Sequence, residues 1–100
     1  MADPADISAL SLADFEPDLG AIFSVSLADG TLPLRLTEAT GGPHGLRAGG
    51  AFSLIFTAEA GPRLAQGTWA LAHPRLGPLH LFLVPVLPVA GVAQYQAVFA

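Results

Sequence analysis

The chain has 100 residues, no cysteine, no lysine, four arginines and eight acids, for a net charge of −4. That length makes one domain, and the missing cysteines exclude disulfides, thiolate chemistry and cysteine-ligated zinc. Charged residues are only 12% of the chain and hydrophobic ones 52%, so the composition favours association and disfavours nucleic-acid binding, which needs clustered Lys or Arg.

The charge is uneven. Residues 1–18 hold Asp3, Asp6, Asp14, Glu16 and Asp18 and no base. The remaining residues hold Arg35, Arg47, Arg63 and Arg75 against Asp29, Glu38 and Glu59. An acidic N-terminal arm, 1–18, therefore precedes a nearly neutral body, 19–100. The lead Met1–Asp6 is acidic where a signal peptide needs positive charge, so no signal peptide is expected. Export by another route to an extracellular or surface assembly stays open. Within the arm, Ser11 and Asp14 suit the start of one helical turn. Leu12, Phe15 and Leu19 place apolar residues on one face of it. Pro17 disfavours helical geometry at Glu16, so about one turn is expected, laid against something hydrophobic.

Ala21–Leu27 alternates as a strand. Ala28-Asp29-Gly30-Thr31 then reads as a tight type I′ turn. Leu32, Leu34 and Leu36 point one way in the second strand, and the Gly-rich run Thr40–Gly50 reads as a loop. Ala51–Ala58 is the third strand, with Phe52, Leu54 and Phe56 alternating. Gly61-Pro62 marks the next connection. Gly67–His73 and Leu79–Val86 form a hairpin that is apolar on both faces. A symmetric loop sets Trp69 opposite Val84, Leu71 opposite Phe82 and His73 opposite His80. Ala70, Ala72, Leu79, Leu81 and Leu83 then share the other face, where small residues opposite large ones suit a tight barrel interior. Pro85 and Pro88 cannot donate to a ladder, which places that end of the strand at an edge or bulge. Val92–Phe99 is the last strand. The fold class expected is all-β: a small antiparallel six-stranded barrel or sandwich with a short N-terminal arm. The longest apolar region, Leu79–Ala93, contains His80, Pro85 and Pro88 and is too short to span a bilayer.

The candidate chemistry is thin. His73 and His80, as cross-strand neighbours, could share a metal, but no third ligand is evident. His73-Pro74 is better read as fixing the turn, with the imidazole bonding loop backbone. No Gly-x-Ser-x-Gly elbow surrounds a serine. Gly41-Gly42-Pro43-His44-Gly45 lacks the lysine and helix of a phosphate loop. Trp69 and Tyr95 could stack on a sugar, but core or interface suits them better. The arginines are read as solvated or paired with the acidic arm. No catalytic residue, metal or cofactor is expected.

Three motifs remain: Gln66-Gly67-Thr68-Trp69, His73-Pro74-x-Leu76-Gly77 and Leu81-Phe82-Leu83-Val84-Pro85-Val86. With the ending Tyr95-Gln96-Ala97-Val98-Phe99, they resemble an uncharacterised bacterial domain family. Phe52–Phe56 and the opening Leu12–Phe15 also fit, and Trp69 stands where tyrosine is usual. The resemblance implies no activity. It implies association with phage tail-collar-type proteins, and so a structural role in a tail-like or surface-fibre assembly.

The expected function is a non-enzymatic structural subunit that self-associates head-to-tail into a filament. Its partners would be itself and a tail-collar-type protein, with no nucleic acid and no membrane span. The interface would set Ile7, Leu10, Leu12 and Phe15 of the arm on Trp69, Leu71, Phe82 and Val84 of a neighbouring hairpin. Deleting residues 1–16 should then leave a folded monomer. The alternative is a monomeric accessory module that binds protein or glycan, with the arm folded on its own barrel.

Overall fold

In a computed structural model, residues 12–41, 52–59 and 61–99 are described. The strands are β1 (Ile22–Leu27), β2 (Gly30–Gly41), β3 (Phe52–Ala58), β4 (Gly67–His73), β5 (Gly77–Val89) and β6 (Val92–Phe99). They close into an antiparallel barrel in the order β1-β2-β3-β6-β5-β4. A four-residue helix, α1 (Leu12–Phe15), and a 3₁₀ turn at Glu16–Asp18 precede β1. No helix among the described residues is long and apolar enough to cross a membrane.

Alternation explains the strands. Phe23 and Val25 of β1 face Leu34 and Leu32 of β2 across the ladder, and all four are buried. On β3 and β6, Phe56 pairs with Tyr95 and Leu54 with Ala97. Small residues beside large ones let a six-stranded barrel fill its interior with side chains. Closure leaves no free edge around most of the ring, which removes the usual template for aggregation.

The two ends are plugged differently. At one end Phe15 is fully buried, with its ring 5.8 Å from Phe52, 5.7 Å from Phe99 and 6.4 Å from Phe23. At the other end the β3–β4 connection crosses the barrel and buries Leu64. The Leu64 backbone N–H donates to the Tyr95 hydroxyl at 2.9 Å. Gly61 in this connection has φ +101°, and a Cβ there would lie 2.5 Å from Leu32 Cδ1. Only glycine accepts both that backbone angle and that approach. Replacing Tyr95 by Phe should strand the buried Leu64 N–H. The expected cost is about 1–3 kcal/mol, read as a lower urea midpoint with an unchanged slope.

Several sequence expectations need correction. The β1–β2 turn is Ala28-Asp29, Gly30 already pairs with Leu27, and none of these residues has positive φ, so it is not type I′. The inward pairs Val25–Leu32 and Phe23–Leu34 fix the register and hence the turn. Strand β2 runs on to Gly41, past a register shift between Leu36 and Glu38, so Thr40 and Gly41 are strand. The rest of the expected loop, residues 42–50, lies outside the described residues, as do Ser11 and Ala51. Leu19 is 49% exposed and does not continue the apolar face of α1.

The largest correction is the β4–β5 register. Trp69 pairs with Leu81, Leu71 with Leu79 and His73 with Gly77, three positions earlier along β5 than expected. Gly77 at φ +75° turns the chain back at once, so the loop is only Pro74-Arg75-Leu76. Trp69, Leu71 and His73 therefore share the inner face with Leu79, Leu81 and Leu83. Ala70 and Ala72 face outward opposite His80 and Pro78. The expected edge or bulge at the prolines is present. The β4 ladder ends at Leu83, and the β5–β6 register shifts between Val86 and Val89.

Candidate functional site

The titratable groups that come together do so where the arm meets the β4–β5 turn. His73 Nδ1 accepts the backbone N–H groups of Arg75 at 3.1 Å and Leu76 at 3.2 Å. Those two donors assign the ring proton to Nε2. Nε2 faces Asp18 Oδ1 at 3.4 Å, and the ring stacks on Phe23 with centroids 4.5 Å apart. Arg75 donates through Nε to Asp18 Oδ2 at 3.0 Å and through Nη2 to the same oxygen and to the Asp14 carbonyl. The His73 side chain is 6% exposed. Both its nitrogens are engaged, so it has no lone pair to offer a substrate proton. The cluster is a clasp that holds the Phe15 plug in place. It realises two sequence expectations: His73 bonds loop backbone, and Arg75 pairs with the acidic arm.

His73 and His80 do not meet. His73 points into the barrel, while His80 is exposed on the outside opposite Ala70. No group of three or more His, Asp or Glu side chains with metal-binding geometry occurs among the described residues. Tyr95 is buried, and Trp69 is half-buried against the core with Nε1 donating to the Ala65 carbonyl at 2.9 Å. Tyr95 offers no open stacking face.

The described residues of the expected interface do not form one patch. Phe15 and Leu71 are core, and Leu12 and Trp69 pack against it half-buried. Only Phe82 and Val84 face outward, because the three-residue register change reverses the partners of Trp69 and Leu71. Ile7 and Leu10 lie outside the described residues.

What the outside does carry is the β5–β6 hairpin. No charged residue follows Arg75 in the sequence. Among the described residues, four of the six exposed large hydrophobic side chains lie on this hairpin: Phe82 (51%), Leu87 (86%), Val89 (59%) and Val98 (62%). Val84 pairs with Gln96, and two residues further along that register stand Phe82 and Val98. Beyond Leu83 the strand has no β4 partner, and β6 pairs with β3 only as far as Ala93, so residues 87–92 form a two-stranded tip past the wall. The tip turns at Ala90 (φ 52°) and Gly91 (φ 80°). Pro85 and Pro88 remove donors from the free edge of β5 beyond Leu83, which blunts strand addition. Contact here must run through side chains. Alternation alone does not single out Leu87, Val89 and Val98; the absence of charge after Arg75 does.

On the wall next to the tip's base, a shallow groove of about 410 Å³ runs between β1, β2 and the β3–β4 connection. Ile22, Pro33 and Pro62 give it an apolar surface, and Arg35, Thr57 and Glu59 its polar groups. Arg35 donates one N–H to the Gly20 carbonyl at 2.7 Å.

The family model for a domain of unknown function, DUF6916, matches residues 10–99 of the chain. Comparison with curated proteins and with solved structures gave no match.

Proposed function

The chain belongs to the DUF6916 domain family, whose description assigns no activity, and from that premise we propose that it is a non-enzymatic structural subunit that self-associates. The contact runs through the outer face and projecting tip of the β5–β6 hairpin. The observation that carries this reading is the concentration of exposed Phe82, Leu87, Val89 and Val98 on one uncharged hairpin. Clustered apolar surface of that kind marks association sites. The engagement of both His73 nitrogens in the arm clasp supports the non-enzymatic part.

The reading extends in two directions. The acidic arm, with Ile7 and Leu10, reaches a neighbouring subunit from its anchor at α1. The assembly is a filament or phage-tail-like surface structure with a tail-collar-type protein as a further partner. The motifs Gln66–Trp69 and Leu81–Val86 support that last step by resemblance. A second reading, a monomeric accessory module, is favoured by the groove at Ile22 and Arg35.

The test is a variant with Phe82, Leu87, Val89 and Val98 all changed to Asp, examined by sedimentation velocity. All four positions are exposed, so circular dichroism should match the parent. The expected result is loss of the assembled species. Assembly unchanged from the parent would show that this face is not the contact.

A further inference from the structure

The groove and the hairpin tip are joined by one row of paired residues. Ile22 pairs with Arg35, Arg35 with Thr57, Thr57 with Gln94 and Gln94 with Val86. These five residues form one outer row running from the groove to the base of the tip. Arg35 and Val86 are three strand spacings apart, about 14 Å at the usual interstrand distance. The tip does not fold back into its own groove, since Leu87 remains 86% exposed.

We propose that the groove takes the β5–β6 tip of a second copy of this chain. Leu87 and Val89 of one copy pack on Ile22, Pro33 and Pro62 of the other. This inference rests on the self-association reading and names its contact. The chemistry is complementary. The tip brings apolar side chains and backbone carbonyls, is free of charge, and lacks donors at Pro85 and Pro88. The groove brings the Arg35 guanidinium, which spends one of its five N–H groups on Gly20, and the Thr57 hydroxyl. Glu59 is exposed at the rim, where its carboxylate stays in water. Ala90 holds a positive φ that Asn or Gly would take with less strain. It keeps the tip free of polar side chains.

In the proposed pair each tip fills the other's groove about a two-fold axis, which gives an isologous, closed contact.

The absence of native cysteine allows a direct test in the full chain. Leu87→Cys and Ile22→Cys variants are oxidised separately and as a mixture, beside a native mass measurement on the parent. The expected result is a disulfide-linked pair in the mixture and little in either variant alone. Leu87→Asp should also raise the dissociation constant of the pair by about tenfold or more. Linkage of Leu87→Cys to itself as efficient as in the mixture would mean tip-to-tip contact and overturn the proposal. A parent that self-associates, with no mixed linkage and no effect of Leu87→Asp, overturns the groove contact and leaves self-association standing. A parent that is monomeric throughout overturns both.

Discussion

Phe15→Ala is expected to lower stability by about 3–5 kcal/mol, the range for emptying a buried aromatic site. The ring is fully buried and touches Phe23, Phe52 and Phe99, which line one end of the barrel. The segment that carries it is a four-residue helix, too short to hold itself together in water. Its order therefore depends on this side chain and on the clasp. For a domain of this size the loss corresponds to a melting temperature lower by about 12 °C or more. Differential scanning calorimetry of the variant checks it, and an unchanged melting temperature would mean that the barrel end closes without the plug. Removing residues 1–16 should destabilise the fold to a similar degree, contrary to the sequence expectation of an intact monomer. Removing residues 1–11 leaves α1 in place and tests the proposed reach of the arm to a neighbour separately from the plug.

His73→Ala carries the second largest effect. The substitution deletes a ring stacked on Phe23 and uncaps the N–H groups of Arg75 and Leu76. Lost packing and two unsatisfied donors together suggest about 2–4 kcal/mol. The ion pair beyond it matters less. The Arg75 side chain is 48% exposed, and pairs in that setting contribute below about 1 kcal/mol. His73→Asn separates the terms, because its side-chain oxygen can still accept the turn N–H groups while the stacking is lost. Urea midpoints should fall in the order parent, His73→Asn, His73→Ala. Equal midpoints for the two variants would show that the cap contributes nothing.

The barrel was legible because most strands alternate cleanly. Phe52, Leu54 and Phe56 against Ser53, Ile55 and Thr57 allow only one inward face. The β4–β5 hairpin was not, because Ala70, Phe82 and Val84 outside are as apolar as Trp69, Leu71 and Leu81 inside. Hydrophobic pattern then carries no phase, and the register was decided by backbone geometry at Gly77 and by the His73 cap. The length of β2 was hidden by the irregularity after Leu36, which breaks the two-residue period. The Phe15 plug joins residues far apart in sequence, and local patterning shows only that Phe15 needs a hydrophobic partner. At the surface, the patch was half legible. Phe82 and Val84 could be named from sequence, whereas Val98 joins them only once β5 and β6 are paired.

The chain's mass in solution tests the account most directly. Sedimentation equilibrium on the full chain across a wide concentration range should give an average mass that rises above 10.2 kDa, the mass of one chain, toward twice that value or higher. A mass that stays at one chain at every concentration would contradict it.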